Sequence, residues 1–114
     1  MQEFQLLLSE PGGGVLELTL IGEVDLATVQ TLRDATETAV ASGDYSCLVF
    51  NLEQLGFIDS SGLHALADAH QAMKATGGTA TVICGPGNIR KLLELTGLDR
   101  LFPIVTTRDE AVAA

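Results

Sequence analysis

The chain has 114 residues and 46% of them are hydrophobic, so it is long enough for one domain with a real core and too apolar to be a disordered segment. The formal net charge is −9, and residues 1–73 hold eleven of the fifteen acidic side chains but one of the six lysines and arginines. Such a surface argues against binding of nucleic acid or anionic membrane, and it either attracts a basic protein partner or serves solubility alone.

No apolar run approaches the about 20 residues that span a bilayer, and the N-terminus lacks the basic flank and apolar stretch of a secretory leader. We therefore expect a cytoplasmic protein, without membrane insertion, that folds as a single domain over residues 1–114. Cys47 and Cys84 lie in apolar segments without metal-ligand spacing. We expect them to be buried structural thiols and expect no metal site.

The first two strands are predicted to form a hairpin. Residues 4–9 read as a short strand, and Pro11 with the three glycines after it forms a turn. Residues 15–21 then alternate between leucines and polar side chains, which is typical of a half-buried strand.

A helix of about four turns is predicted after Asp25, because residues of an inner stripe recur at helical spacing: Leu26, Val29, Leu32, Thr36 and Val40. Gly43 is placed to end this helix. Residues 46–52 follow as a continuous apolar strand, which we expect to be covered on both faces.

Asp59 and Ser60 open a second predicted helix, which Gly77 closes. Its inner stripe is predicted to be Leu63, Leu66, Ala67, His70 and Met73. Residues 79–84 are β-branched and apolar, which indicates another buried strand. If residues 46–52 and 79–84 pair in parallel, the two cysteines lie about five residues apart along the strands, too far for a disulfide.

A glycine-proline turn leads to a third helix, which Asn88 is predicted to cap and Gly97 to end. Leu98 should make the hydrophobic contact that accompanies such an end. Residues 102–105 are predicted to be a short strand, and Pro103 places it at an edge or a strand start.

A terminal helix is predicted from Thr107 or Asp109 through Ala113. The resulting order is β-β-α-β-α-β-α-β-α. Strands that alternate with helices predict an α/β fold with parallel crossovers. With the initial hairpin, the sheet is a mixed sheet of about five strands accompanied by about four helices.

Sites in such a sheet form beyond the carboxyl ends of the strands. Two segments are predicted to lie there, residues 22–25 and residues 57–62. Ser60 stands at a helix start, where unpaired backbone N–H groups and the helix dipole would hold a phosphate. The alternative is plain capping of the helix by Asp59 or Ser60, and spacing alone favours capping.

The segment Asp59-Ser60-Ser61-Gly62, preceded by phenylalanine and isoleucine, resembles the signature of the STAS family of anti-sigma-factor antagonists. Three further segments resemble the family's segment before its first helix, its third strand with the loop after it, and its third helix with its cap: residues 22–25, 50–55 and 93–98. The resemblance runs from about residue 4 to residue 112 and implies a single STAS-type domain.

The resemblance also implies a partner switch. The unphosphorylated antagonist would bind an anti-sigma factor that is an ATP-dependent serine kinase, and this binding would free a sigma factor for transcription. The kinase would phosphorylate the first serine after the aspartate, here Ser60, and so end the binding. A PP2C-type serine phosphatase would reset the protein, which is then no enzyme and needs no cofactor.

The candidate partner-binding residues are Asp25, Asp59, Ser60, Ser61, Gly62 and His64. Asp25 also suits a cap for the first helix, and both roles stay open. His64 is predicted on the outer face of the second helix, one turn before Asp68. It either contacts the partner or is a solvated neighbour of Asp68.

Two other functions remain open: a STAS subunit of another complex, such as a lipid transporter, and a sensor of a small ligand or nucleotide. Neither would require phosphorylation of Ser60. A serine hydrolase is rejected because the GxSxG elbow is missing and because His64, one helical turn after Ser60, is poorly placed as its base. The turn at residues 85–88 lacks the lysine and threonine of a phosphate-binding P-loop, so we expect a plain strand-to-helix turn there.

Overall fold

The computed structural model describes residues 3–112. The strands are β1 (Gln5–Gly12), β2 (Val15–Val24), β3 (Cys47–Ile58), β4 (Thr79–Ile83) and β5 (Ile104–Val105), and the helices are α1 (Val29–Ser42), α2 (Ser60–Ala75), α3 (Asn88–Leu95) and α4 (Arg108–Val112). This is the predicted order of elements, with a short 3-10 turn added at Leu98–Arg100. The predicted helix end at Ala113 lies outside the described residues. Within residues 3–112, no helix combines the length and apolarity needed to cross a membrane.

The strands form one mixed sheet in the order β1-β2-β3-β4-β5. β1 pairs with β2 in antiparallel fashion, and all other neighbours are parallel, which confirms the predicted hairpin and crossovers. β5 lies at one edge of the sheet. Pro103 directly precedes β5 and has no N–H to donate to the sheet. Its carbonyl accepts a hydrogen bond from the N–H of Val82 at 2.9 Å.

The larger core fills the space between the sheet and the helices α1, α2 and α3. Phe50 of β3 and Leu66 of α2 are fully buried there, and full burial of a side chain of this size contributes about 1.5–3 kcal/mol. On the opposite face, Val49 and Ile83 pack against Ala111 of α4. Both faces of β3 are therefore covered, as its continuous apolar run predicted.

α4 is held on that second face by a charged group of the sheet. The Glu17 carboxylate of β2 is buried, and it receives the Arg108 Nε–H at 2.6 Å and the Asn51 amide at 3.2 Å. A buried carboxylate without partners would be strongly unfavourable. The pair therefore fixes where α4 lies on the sheet.

The two cysteines lie at opposite ends of the β3–β4 pair, as predicted. Cys47 opens β3 opposite Thr79, while Cys84 directly follows β4, and both thiols are free. Burial raises the pKa of the Cys84 thiol despite the nearby Arg90 guanidinium, which fits an inert structural thiol. Cys47 is only half-buried, so its predicted burial is wrong.

β2 and β3 run further than predicted. They were expected to end at residues 21 and 52, but they reach Val24 and Ile58. β4 accompanies β3 only as far as Asn51, so the rest of β3 pairs with β2 alone and exposes Glu53 and Gln54. These polar residues interrupt the apolar run on which the prediction depended.

Two helix starts also differ from the prediction. α1 begins at Val29 and not directly after Asp25, so Leu26 is 81% exposed and does not belong to the inner stripe. α3 begins at Asn88 itself, with Gly87 in the N-cap position and no side-chain cap hydrogen bond. The predicted capping role of Asn88 is therefore wrong.

Candidate functional site at the carboxyl ends of β2 and β3

The two segments singled out in the sequence meet at one edge of the sheet. Val24 and Ile58, which end β2 and β3, are register partners. The N–H of Asp59 donates to the carbonyl of Val24 at 3.1 Å. The loop that leads into α1 and the residue that opens α2 therefore lie side by side, as predicted.

Gly22 allows β2 to reach this edge. Its φ is +97°, and a Cβ atom at this position would lie 2.4 Å from the carbonyl oxygen of Glu3. The pairing of β2 with β3 shifts register between Gly22 and Glu23. Backbone conformation and close approach both require glycine here, so this residue of the 22–25 segment is explained by the fold.

Asp25 caps a turn in front of α1. Its Oδ1 accepts the N–H groups of Ala27 at 3.0 Å and Thr28 at 3.1 Å. The Thr28 hydroxyl accepts the N–H of Asp25 at 3.0 Å and donates to the carbonyl of Glu23 at 2.9 Å. Asp25 therefore caps the turn before α1 and is not the N-cap of α1 as predicted, because Thr28 holds that position. A contact between Asp25 and a partner stays a prediction.

Asp59 is the N-cap of α2, as predicted. Its Oδ1 accepts the N–H groups of Ser61 at 2.9 Å and Gly62 at 3.2 Å, and also the Ser61 hydroxyl at 2.5 Å. The Ser61 hydroxyl bond is the main reason why the pKa of Asp59 lies below its ordinary value. The N–H groups of Gly62, Ser61 and Leu26 lower it further, against the opposing effect of desolvation.

Three of the first four backbone donors of α2 are already occupied. The sequence left two roles open for the N–H groups around Ser60, either holding a phosphate or donating to a helix cap, and its spacing favoured the cap. In the structure, those of Ser61 and Gly62 bind the Asp59 carboxylate, and that of Leu63 binds the Asp59 carbonyl at 3.0 Å. A phosphate on Ser60 would have to displace Asp59 to use them.

The adjacent serines have different environments. Ser60 is exposed, and within residues 3–112 its hydroxyl makes no hydrogen bond. Ser61 is half-buried and its hydroxyl is bound to Asp59. An enzyme could therefore modify Ser60 without breaking a contact, whereas modification of Ser61 would remove part of the helix cap.

Gly62 is buried where α2 touches both strand ends. A Cβ atom on this residue would lie 2.6 Å from Cγ1 of Ile58 and 2.8 Å from Cγ1 of Val24. The absence of a side chain lets the first turn of α2 lie directly on the ends of β2 and β3. This contact sets the position of Ser60 relative to the 25–28 loop.

His64 is exposed on α2, as predicted, but Asp68 is not its partner. The Asp68 carboxylate instead binds Arg33 of α1, with 2.9 Å between Oδ2 and Nη1. His64 therefore has no ion-pair partner in the part of the chain that the structure describes. His70 is packed as expected, with its ring centroid 5.5 Å from that of Phe102 in an edge-to-face arrangement.

The surface beside Asp25 is acidic and concave. A depression of about 420 Å³ is lined by three acidic residues, one aromatic residue and small side chains before and in the first turn of α1: Glu3, Glu23, Asp25, Phe4, Ala27, Thr28 and Thr31. Its chemistry suits a cationic side chain of a partner. Across residues 3–112, no three histidine, cysteine, aspartate or glutamate side chains form a group that could hold a metal ion.

Comparison with known families accounts for this arrangement. A family model described as "STAS domain" matches residues 10–111. The chain belongs to the STAS-domain family. The matched residues of this STAS domain include both loops of the site and the whole of α2.

Relatives of this STAS domain are named as anti-sigma-factor antagonists. It is 31% identical over 91 residues to an anti-sigma F factor antagonist of Paenibacillus polymyxa, over 80% of this chain and 78% of that protein. The crystal structure of an anti-sigma factor antagonist from Mycobacterium paratuberculosis superposes with a TM-score of 0.88 at 30% identity, over 97% of this chain and 92% of that one. The Bacillus cell fate determinant SpoIIAA in its phosphorylated form superposes with a TM-score of 0.77 at 25% identity, over 96% and 97% of the two chains.

The role of the 25–28 loop in this STAS domain was not predicted from its residues. Leu26 was assigned to the core, yet its side chain projects into solvent. Its N–H is one of the groups that lower the pKa of the Asp59 carboxyl. The spacing of Asp25 and Thr28 was the available signal, because these residue types three apart favour a hydrogen-bonded turn before a helix. Phe57, 48% exposed at the end of β3, is a second apolar side chain next to the site.

Proposed function

We propose that this protein is an anti-sigma-factor antagonist. In its unphosphorylated form it binds an anti-sigma factor that is a serine kinase and so frees a sigma factor. Phosphorylation of Ser60 by that kinase ends the binding. The proposal is supported by relatives at 30–31% identity that are named as antagonists and by the geometry of residues 59–62.

The free hydroxyl of Ser60 is the observation that carries this proposal. It is exposed at the first position of α2, whereas the hydroxyl of the neighbouring Ser61 donates a hydrogen bond to the Asp59 carboxylate. SpoIIAA, a structural neighbour, has been solved in a phosphorylated form. Of the two adjacent serines, Ser60 is therefore the one we assign as phosphoacceptor.

The electrostatics explain how one phosphate would act as a switch. A phosphate adds about −1.5 to −2 charges at neutral pH. Asp25 and Asp59 already lie at this edge, and both carboxylates are held in place by backbone donors. A partner surface that accepts a neutral hydroxyl would then meet a strongly anionic group, and no change of fold is needed.

The proposed partner surface comprises Asp25, Asp59, Ser60, Ser61, Gly62 and His64. Gly62 is buried on the inner side of the first turn of α2 and would act by letting that turn lie on the strand ends. A PP2C-type serine phosphatase would remove the phosphate. The protein would act in the cytoplasm through binding alone, without catalysing a reaction.

The first test is phosphorylation in vitro. The chain is incubated with ATP and each candidate anti-sigma kinase encoded by the same genome, and intact mass and phosphopeptides are then measured. We expect one phosphate, on Ser60, and none on a Ser60→Ala variant. No phosphate with any kinase, or phosphate on Ser61, would overturn the assignment.

The second test measures affinity for the kinase that passes the first. Ser60→Ala should bind persistently, and Ser60→Asp should bind at least tenfold more weakly, which corresponds to about 1.4 kcal/mol. The matched control is Gln71→Glu, which adds one negative charge at an exposed position further along the same helix. If this control weakens binding as much as Ser60→Asp, net charge and not the site explains the effect.

A further inference from the structure

His64 is placed to meet a group attached to Ser60. Both residues are exposed and lie four positions apart on α2. Side chains at this spacing are neighbours on one helix face, with about 5–6 Å between Cβ atoms. Helical side chains also lean toward the N-terminus, so the imidazole lies over the turn that Ser60 begins.

His64 is also the one cation-forming side chain near that position in the sequence. No lysine or arginine occurs between Arg33 and Lys74. Arg33 forms an ion pair with Asp68, with 2.9 Å between Nη1 and Oδ2, and Lys74 lies at the far end of α2. The other histidine of this stretch, His70, packs against Phe102.

Three of the backbone donors that usually hold a phosphate at a helix start are engaged here. The Asp59 carboxylate accepts the N–H groups of Ser61 and Gly62, and the Asp59 carbonyl accepts that of Leu63. The nearby carboxylates of Asp25 and Asp59 are anionic and cannot donate. Among the described side chains on this face of α2, His64 is left as the donor within reach.

From these contacts we propose that His64 is the intramolecular ligand of phosphorylated Ser60. The inference rests on the proposed phosphorylation and adds a regulatory residue to it. The imidazolium donates a charge-assisted hydrogen bond to a phosphate oxygen, which holds the phosphate against α2 and partly neutralises it. The charged groups around the pair are Asp25 and Asp59 at the start of α2 and the Asp68–Arg33 pair one turn further on.

The test uses phosphoserine inserted at position 60 during translation, so that it requires no kinase. The imidazole proton resonances of the two histidines are followed against pH by NMR. Phosphorylation should raise the titration midpoint of His64 by about one pH unit, given about two negative charges at this distance in a solvated setting. The midpoint of His70 serves as the internal control and should move far less.

A reciprocal measurement uses phosphorus NMR. In the phosphorylated protein, His64→Gln should raise the midpoint of the second phosphate ionisation, because the cation that favours the dianion is gone. An unchanged His64 titration, or equal shifts of both histidines, would overturn the inference. These results do not depend on any kinase, so failure of the phosphorylation assay and failure of this contact are distinguishable.

Discussion

The contact between Gly62 and the two strand ends predicts that Gly62→Ala destabilises the fold. The added methyl group would lie 2.6 Å from Cγ1 of Ile58 and 2.8 Å from Cγ1 of Val24, whereas carbon atoms prefer separations of about 3.5–4.0 Å. Ile58 and Val24 are themselves 3% and 0% exposed. Neither neighbour has free space, so α2 or a strand end must move.

Two opposing effects decide the magnitude. Overpacking of a tight core costs about 1–3 kcal/mol. Alanine is favoured over glycine by up to about 1 kcal/mol in a helix interior, and Gly62 lies in the first turn, where this gain is smaller. We expect a net loss of about 1–2 kcal/mol in the free energy of unfolding, which lowers the melting temperature by several degrees in a domain of this size.

Urea denaturation followed by circular dichroism measures this loss. Gly85→Ala is the matched control, because a Cβ atom there meets no atom within 4 Å and the residue has no positive φ. The control should be unchanged or up to about 1 kcal/mol more stable, through the lower entropy of its unfolded chain. If Gly62→Ala unfolds at the same urea concentration as the control, with the same slope, the close approach has been misjudged.

Two further predictions concern charged groups. The hydrogen bonds that lower the pKa of Asp59 add stability that is present above the pKa of Asp59 in the unfolded chain and is lost as the pH falls through its lower pKa in the folded chain. In Asp59→Asn, the urea midpoint should therefore fall less steeply as the pH is lowered from about 6 to about 2. A midpoint that falls as steeply as in the unchanged protein would contradict the cap. Arg108→Ala leaves the buried Glu17 carboxylate without its cation, so amide hydrogen exchange in α4 should accelerate. Arg100→Ala is the control and should leave the exchange rates of α4 unchanged, because Arg100 is exposed and has no ion pair among the described residues.

The start of α2 was predictable because its signals are local. Asp59 has the residue type and position of an N-cap, and the next residues are small. The alternation of strands and helices likewise predicted the parallel crossovers, and Pro103 predicted an edge or a strand start for β5, which lies at the edge of the sheet. Gly43 ends α1 with φ 71°, as its residue type and place after the apolar stripe indicated.

Features that depend on distant parts of the chain were not predictable. Glu17 looked like a solvent-facing residue of an alternating strand, yet it is buried because Arg108, ninety-one residues away, reaches it. β3 extends past Asn51 because its second half pairs with β2, although β4 ends opposite Asn51. Leu26 fits a helical stripe by spacing alone, and only the turn fixed by Asp25 removes it from the core.

The hydrogen bond between Ser61 and Asp59 also distinguishes the two serines as sites for the proposed switch. Phosphorylation of Ser61 would break its hydroxyl bond to Asp59 and so weaken the start of α2. Ser60, one residue earlier, has no such bond within residues 3–112, so its phosphorylation would break no hydrogen bond of the cap. Under the proposed function, stability and switching would therefore be carried by different residues of one four-residue segment, and a charge would be added or removed at its exposed position without loss of the cap that starts the helix.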